Sequence, residues 1–411
     1  MEHGMDLAAG KSRKRKAAEE ADWVSAFSLD ELNQDLLERV LSYLPASSFF
    51  RLRPVCKRWK SITNSATFQI ACAQIPIREP WFLMVDQDLD QSTVLDTSEW
   101  NWKNLSLPIQ FRDSHNMKPI PVAASGGLVC FRTVFGGLKV CNPVTGACRE
   151  LPQVVSVRET SPLHAIALHS SPGSSSSYRI VLVSGDISNL AFRVFDSIKG
   201  TWEDEVNLVH TTKSSLESHS GSEIFYFLSK TGDVVASNMQ RSPSKQYSSV
   251  LTVENEEEVV YFISHSGNIV ACNLVRKTFS EYPRLLPVYF EYSIDVVECN
   301  GEMLVVILSE FLETASVRIW KFSREVGSWQ QVAAMPPSMS HEFYGKKLDI
   351  NCTGWRNMIL ICINNYNHFS SCVMFHMEAN EWMVLPKCCV DGSAKEFMSA
   401  FSFEPRLEVA V

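Results

Sequence analysis

Residues 196–202 read Asp196-Ser197-Ile198-Lys199-Gly200-Thr201-Trp202, with a small polar residue six positions before a tryptophan. The same spacing between a polar side chain and an aromatic or equivalent side chain recurs in the pairs Asp96/Trp102, Asn142/Cys148, Asn273/Phe279, Ser323/Trp329 and His376/Trp382. A turn-forming polar residue ends an apolar strand, and a large side chain then starts the return strand. The pattern predicts a repeated β-hairpin.

Two further features mark the same repeat. A proline follows several of the return strands, in Leu107-Pro108, Leu151-Pro152, Tyr282-Pro283, Met335-Pro336 and Leu385-Pro386. Residues 226–238 also match residues 261–273 at an offset of 35, with seven of the thirteen positions identical. This second match indicates one additional repeat, whose missing large residue falls at Ser244.

The spacing of the repeats predicts a fold. With Ser244 included, the repeats are about 47 residues apart, and residues 80–411 hold seven of them. Units of about 40–50 residues with four short strands are typical of propeller blades. The sequence therefore predicts an all-β propeller of seven blades, with six blades as the fallback if Ser244 is not a repeat position. Residues 81–85 and 401–411 are both strand-like and are expected to share one blade, which would close the ring.

Residues 28–70 have helical periodicity instead. Ser28-Leu29-Asp30-Glu31 has capping-box spacing. One face of the first predicted helix carries Leu36, Leu37, Val40, Leu41 and Leu44. Pro45 ends this helix, a second is predicted within residues 48–52, and Pro54 can begin a third. The face of the third helix carries Val55, Cys56, Trp59 and Ile62. Three short amphipathic helices bury little surface alone, so part of this unit is expected to pack on a partner or on the rest of the chain.

Charge is distributed unevenly along the chain. The net charge is -8, which does not favour direct binding of nucleic acid. The segment from residue 39 to residue 78 nevertheless contains no acidic residue and these basic ones: Arg39, Arg51, Arg53, Lys57, Arg58, Lys60 and Arg78. Such a segment indicates either an acidic partner surface or a solvated basic face.

The N-terminal residues 1–27 form a polar tail with the basic run Lys11-Ser12-Arg13-Lys14-Arg15-Lys16. This run is either a nuclear localisation signal or a solvated arm. No apolar segment follows it, and no apolar run approaches the roughly 18 residues of a membrane span, so we expect no secretion and no membrane partner. Residues 71–79 are expected to be a linker.

The chain has 12 cysteines and no pair of CxxC motifs. In a reducing compartment we expect them to be buried and unpaired, with no metal and no cofactor bound. No nucleophile elbow, HExxH motif or phosphate-binding glycine loop occurs, so we expect no enzymatic activity.

The helical segment resembles an F-box, in residues 32–45 (LNQDLLERVLSYLP) and 53–59 (RPVCKRW). The region after it is similar to the propeller of plant F-box/kelch-repeat proteins, in residues 125–131 (SGGLVCF), 141–143 (CNP) and 403–406 (FEPR). One departure is Asn33, which stands where the family usually has proline, and we expect a looser helix start there. The resemblance covers roughly residues 30–411.

This resemblance implies the substrate-recognition subunit of a Skp-cullin-F-box ubiquitin ligase. The F-box would dock on a Skp-type adaptor and through it on a cullin, while the propeller would recruit an unknown protein substrate. The residues implied to contact the adaptor or to hold its geometry are Leu32, Leu36, Leu37, Val40, Leu44, Pro45, Val55 and Trp59. The alternative is a nuclear cofactor that binds a transcription factor without causing its destruction. We expect the protein in the nucleus, the cytoplasm or both.

Overall fold

The computed structural model describes residues 32–86, 88, 93–105, 118–154, 162–170, 177–211, 226–228, 234–236, 247, 249–264, 267–286, 292–311, 313–365, 369–390 and 392–411. The chain divides between Ile75 and Pro76 into a helical unit and a β unit. The basic run at residues 11–16, the capping box at 28–31, the exit Leu107-Pro108 and the repeat position Ser244 lie outside the described residues.

Four helices form the described part of the helical unit, where the sequence predicted three. They are α1 (Gln34–Ser42), α2 (Ala46–Leu52), α3 (Lys57–Ile62) and α4 (Ala66–Ala73). The prediction missed α4 because apolar residues occur on all its sides and leave no clear period. The third helix begins at Lys57 and not at Pro54, since the Cys56 sulfur caps it by accepting from the Trp59 amide at 3.4 Å.

The β unit consists of short strands in antiparallel sheets. Its first half contains β1 (Trp81–Asp86), β2 (Thr93–Asp96), β3 (Asn101–Asn104), β4 (Ile120–Ser125), β5 (Leu128–Arg132), β6 (Leu138–Cys141), β7 (Cys148–Glu150), β8 (Leu163–Ser170), β9 (Tyr178–Asp186), β10 (Asn189–Asp196), β11 (Thr201–Trp202), β12 (Val206–Asn207), β13 (Val209–His210), β14 (Tyr226–Leu228) and β15 (Val234–Ala236).

The second half contains β16 (Val250–Glu254), β17 (Glu257–Ile263), β18 (Ile269–Asn273), β19 (Thr278–Glu281), β20 (Tyr292–Cys299), β21 (Glu302–Phe311), β22 (Thr314–Ser323), β23 (Ser328–Ala334), a short helix α5 (Pro337–Ser340) with a 3-10 turn (His341–Phe343), β24 (Asp349–Trp355), β25 (Met358–Asn364), β26 (Ser370–His376), β27 (Glu381–Val384), β28 (Cys389–Val390), β29 (Ser393–Ala394) and β30 (Phe397–Phe403).

Six four-stranded sheets form the blades of a propeller. Blade 1 is β30-β1-β2-β3, blade 2 is β4 to β7 and blade 3 is β8 to β11. Blade 4 is β16 to β19, blade 5 is β20 to β23 and blade 6 is β24 to β27. Between blades 3 and 4, β12 pairs with β10, and β13 adds a parallel strand outside β19.

The prediction of seven blades is wrong, and the six-bladed fallback is confirmed. The additional repeat is a two-stranded hairpin of β14 and β15, which pair only with each other among the described residues. Its counterpart in the sequence match is the hairpin of β17 and β18, which forms the centre of blade 4. The sequence match is therefore a match between two hairpins and not between two blades, because a blade needs four paired strands.

The ring closes as predicted, by pairing the first and last strands of the β unit. β1 and β30 run antiparallel, with Leu83 opposite Phe401 and Trp81 opposite Phe403. The closing strand ends at Phe403, so residues 404–411, predicted as strand, follow it as an irregular tail segment. The Glu404 amide of this segment donates to the Gly126 carbonyl in blade 2 at 2.6 Å.

The six predicted hairpins all join the third and fourth strands of a blade. In each hairpin the polar side chain accepts a hydrogen bond from a backbone amide of the turn, for example Asp196 from Ile198 at 2.8 Å and Asn273 from Arg276 at 2.8 Å. The weakest of these bonds is that of His376, whose Nδ1 accepts from the Ala379 amide at 3.5 Å. The turn chemistry inferred from the sequence is confirmed in every blade.

Apolar side chains fill the spaces between neighbouring blades. Separate core clusters lie between blades 2 and 3, 3 and 4, 4 and 5, 5 and 6, and 6 and 1. The strands therefore bury both of their faces, as Met358–Asn364 does at every position. This explains why apolar runs outnumber alternating patterns in the sequence.

The expectation of twelve unpaired cysteines is wrong for one pair. Cys141 and Cys148 form a disulfide across β6 and β7, because these two strands place them directly opposite each other. The other ten cysteines are free, and most of them are buried.

Candidate functional site

The helical unit holds the residues for which the sequence predicted a binding role. Its first helix begins at Asn33, whose side chain accepts from the Asp35 amide at 3.3 Å. Asparagine is a preferred N-cap, so this residue starts the helix firmly in spite of the missing proline. Arg58 supports the same end by donating to the Gln34 side chain at 3.0 Å and to the Leu32 carbonyl at 2.5 Å.

One side of α1 faces the interior of the helical unit. Leu37 and Leu41 lie there with exposures of 1% and 3%. The interior also holds Phe49 of α2 and Phe68 of α4, whose rings stack with centroids 5.1 Å apart. These contacts hold the helices together, so a truncation of Leu37 is expected to act on folding before it acts on any partner.

A buried carboxylate lies on the interior side of α1. Glu38 accepts hydrogen bonds from Gln34 at 2.8 Å and from the Thr67 hydroxyl of α4. Burial by itself would raise the pKa of Glu38, but the hydrogen bonds from Thr67, Gln34 and Ser65 outweigh it, so the pKa is lowered. Glu38 therefore stays ionised and ties α1 to α4.

The side of α1 next to this interior side exposes an apolar stripe. Leu36, Val40 and Tyr43 follow one another at helical spacing and have exposures of 55%, 54% and 66%. Val55, in the turn before α3, and Ile70, on α4, are the other large apolar residues that are exposed in the described part of the helical unit. Contiguous exposed apolar surface of this kind is typical of protein interaction sites.

The structure separates the predicted contact residues into three groups. Leu36, Val40, Pro45 and Val55 are exposed, Leu32, Leu44 and Trp59 are partly buried, and Leu37 is buried. The apolar face predicted for α1 therefore has two adjoining parts, an interior part with Leu37 and Leu41 and an exposed stripe with Leu36 and Val40. Tyr43 and Ile70 were missed, although the spacing of Tyr43 from Leu36 and Val40 could have revealed it.

The helical unit also exposes basic side chains. Arg39, Arg51, Lys57 and Lys60 are exposed, whereas Arg58 is engaged at the start of α1 and Arg78 belongs to the β unit. The unit thus combines exposed apolar residues with positive charge, a combination that fits a protein surface with apolar pockets and acidic residues.

Metal-ligating side chains do not come together in the part of the chain that the structure describes. The described residues contain no group of three or more His, Cys, Asp or Glu side chains placed to hold a metal ion. None of the helices in the described ranges is long and apolar enough to cross a membrane.

The architecture defines a class, an interaction protein that joins a small helical docking unit to a propeller. Residues 29–70 match the F-box domain, and residues 94–340 match the KIB1-4 beta-propeller. The chain belongs to the F-box proteins that carry a KIB1-4 β-propeller.

Relatives support this assignment. F-box only protein 13 of Arabidopsis thaliana is 47% identical over 99% of this chain and 91% of its own length. Protein UNUSUAL FLORAL ORGANS of the same plant is 23% identical over 95% of this chain and 88% of its own length. An F-box/kelch-repeat protein of Arabidopsis thaliana is 35% identical, but over only 33% of each chain. The predicted kelch character is thus matched only by relatives whose similarity is partial or distant.

Proposed function

We propose that this protein is the substrate-recognition subunit of a Skp-cullin-F-box ubiquitin ligase. The observation that carries the proposal is the exposed stripe of Leu36, Val40 and Tyr43 inside the segment that matches the F-box. The F-box binds a Skp-type adaptor, which links it to a cullin, and the propeller recruits a protein substrate. The subunit performs no chemistry itself, since its contribution is to raise the effective concentration of a substrate lysine near activated ubiquitin.

Binding to the adaptor is the first test. We predict that Leu36→Arg combined with Val40→Arg weakens binding of the full chain to a purified Skp-type adaptor by at least about a hundredfold. Burying two unpaired guanidinium groups in an apolar contact costs several kcal/mol, and about 1.4 kcal/mol is a tenfold change in affinity. Isothermal titration calorimetry measures the loss directly.

Two variants control this experiment. Val326→Arg makes the same kind of change at a residue that is 65% exposed in a turn of blade 5, and we expect it to bind normally. Leu37→Ala removes an interior side chain, and we expect it to lose helical content together with binding. If the double variant keeps its circular dichroism spectrum and still binds with normal affinity, the F-box does not use this stripe and the proposal fails.

The basic residues are expected to act on the rate of association. Arg51→Gln with Lys57→Gln should slow association with the adaptor and flatten its dependence on salt, with a smaller loss of equilibrium affinity. Arg58 is left unchanged in this variant because its guanidinium holds the start of α1. Equal association rates for variant and wild type at low salt would show that these cations lie outside the interface.

Degradation separates the proposal from the alternative of a nuclear transcription cofactor. A protein captured by the propeller should have a longer half-life in cells that express the Leu36→Arg, Val40→Arg variant than in cells that express the wild type. A cofactor that does not cause destruction would leave this half-life unchanged while still binding the same protein.

We further propose that the basic run near the N-terminus imports the protein into the nucleus, with the cytoplasm as its other location. Lys14, Arg15 and Lys16 form the densest part of this run. Replacing all three with alanine should lower the nuclear fraction of a fluorescently tagged chain. An unchanged nuclear fraction would assign the run to a solvated arm.

A further inference from the structure

The hairpin that ends blade 2 carries a disulfide where other blades carry aromatic rings. Cys141 and Cys148 are opposite each other, with their Cα atoms 4.1 Å apart. The corresponding residues pack ring against ring in three blades, as Phe195/Trp202, Phe322/Trp329 and Phe375/Trp382. Two thiols bury much less apolar area than such rings, so the hairpin of blade 2 depends more on its covalent bond.

This hairpin holds the tail segment, residues 404–411. The side-chain amide of Asn142, next to Cys141, donates to the carbonyl oxygens of Arg406 and Val409, each at 2.8 Å. Its oxygen accepts from the Val144 amide of the turn at 3.0 Å. A single buried side chain therefore connects the disulfide-bonded turn to the tail segment, and any loosening of the turn loosens both of these bonds.

The tail segment is itself a buried part of the β unit. Val409 and Val411 pack on the core cluster between blades 2 and 3. The Arg406 guanidinium donates to Glu408 at 2.9 Å and to the Pro76 carbonyl at 3.0 Å, which joins the end of the β unit to its beginning. Release of the tail segment would expose this apolar and charged surface.

The two sulfur atoms lie in different environments. Cys148 is exposed, whereas Cys141 is buried. Peroxide therefore reaches the Cys148 sulfur of the reduced protein first, and the buried Cys141, directly opposite on the neighbouring strand, is placed to resolve the product.

We propose that Cys141 and Cys148 are a reversible redox site, in which a hydroperoxide forms the disulfide, a dithiol reduces it, and the bond controls how firmly blade 2 holds the tail segment. The Cys148 thiolate attacks a peroxide oxygen, the O–O bond breaks and a sulfenic acid forms as hydroxide leaves. The Cys141 sulfur then attacks the Cys148 sulfur, the S–S bond forms and water leaves. Two thiols lose two electrons and two protons, and hydrogen peroxide becomes two waters.

Hydrogen exchange of the full chain tests this proposal. After treatment with hydrogen peroxide, peptide mapping should find Cys141 linked to Cys148, and after dithiothreitol both should be alkylated. Amides of residues 404–411 should exchange about tenfold faster in the reduced protein, because the reduced hairpin opens more often. Absence of the linked peptide overturns the redox site, and equal exchange in both states overturns control of the tail segment.

Serine variants refine the result. Cys148→Ser should make exchange of residues 404–411 independent of peroxide, at the rate of the reduced wild type. Cys389→Ser changes an exposed cysteine that has no disulfide partner, and it should keep the full difference between the two states. A loss of the difference in Cys389→Ser would assign the effect to another thiol and overturn the proposal.

Discussion

At the scale of single residues, Asp349 is a carboxyl group whose ionisation the fold opposes. It begins β24, and its carboxylate accepts hydrogen bonds from the Ser293 hydroxyl and from the Ile350 amide. Burial raises its pKa to about 6, and repulsion from Asp295 on the neighbouring β20 adds to this, while the two hydrogen bonds oppose it. A carboxyl group that is difficult to ionise destabilises the folded protein at neutral pH.

The raised pKa of Asp349 predicts how the stability of the folded protein depends on pH. The folded protein holds the Asp349 proton more tightly than the unfolded chain does, so stability falls as the pH rises from about 4 to above 6. Asp349→Asn removes the ionisation and keeps an oxygen for the Ile350 amide. The variant should gain roughly 1–3 kcal/mol relative to wild type between pH 4 and pH 7, as measured by urea unfolding.

A matched control is Asp204→Asn, at an exposed aspartate of the β unit. This control makes the same carboxyl-to-amide change at an exposed side chain, so any pH dependence that both variants share does not come from Asp349. A constant gap between Asp349→Asn and wild type at all pH values would mean that Asp349 ionises as it does in the unfolded chain.

At the scale of elements, the hairpin between the third and fourth strands is the unit repeated around the ring. The residue four positions after the polar residue has a positive φ in all six blades, at Trp100, Gly146, Gly200, Lys277, Gly327 and Asn380. Glycine adopts this conformation without strain, so Gly200 suits its turn, whereas a side chain as large as that of Trp100 does so at a cost. The common geometry follows from strand pairing and not from the residue type.

The large residue of this hairpin also joins neighbouring blades. Trp102, Trp202 and Trp329 each donate from Nε1 to the carbonyl of the proline that ends the preceding blade, namely Pro386, Pro152 and Pro283, at 2.7 to 3.0 Å. This contact explains why the tryptophans and the proline exits occur together in the sequence. Trp382 differs, since its Nε1 is buried and has no hydrogen-bond partner.

This difference provides a matched pair of variants. Trp329→Phe removes a hydrogen bond and leaves the Pro283 carbonyl unpaired, whereas Trp382→Phe removes only a donor that is already unpaired. We predict that Trp329→Phe lowers the free energy of unfolding by about 1–2 kcal/mol more than Trp382→Phe does. Chemical unfolding followed by circular dichroism measures both, and equal losses would show that the indole hydrogen bond contributes nothing.

At the scale of the whole molecule, closure of the ring governs the stability of the β unit. β30 comes from the far end of the chain and forms the inner strand of blade 1 beside β1. Without it, β1 would present an unpaired edge, and the core cluster between blades 6 and 1 would lose Phe397 and Ala400. Open edges of this kind promote aggregation.

Two truncations separate ring closure from the tail segment. A chain that ends at Phe403 keeps β30, and we expect it to be folded and monomeric with a lower melting temperature. A chain that ends at Glu396 loses β30, and it should aggregate or unfold. Size-exclusion chromatography and thermal melting distinguish the two results, and a soluble, cooperatively folded chain ending at Glu396 would contradict the role of closure.

The sequence by itself determined the features that depend on neighbouring residues. The hairpins at Asp196 and its equivalents and the presence of a helical segment before the β unit were readable, because turn chemistry and hydrophobic period act over a few residues. The match to an F-box segment was readable for the same reason. The pairing of β1 with β30 was predicted from the repeat, because a propeller must close its ring.

Only the tertiary structure decided what depends on residues far apart in the chain. The blade count required knowing that β14 and β15 pair only with each other among the described residues, and the two parts of the apolar face of α1 required knowing where α4 packs. The bond between Cys141 and Cys148 required the register of β6 and β7. Strand pairing and side-chain burial depend on many contacts between residues that are far apart in the chain. A local sequence pattern does not specify these contacts.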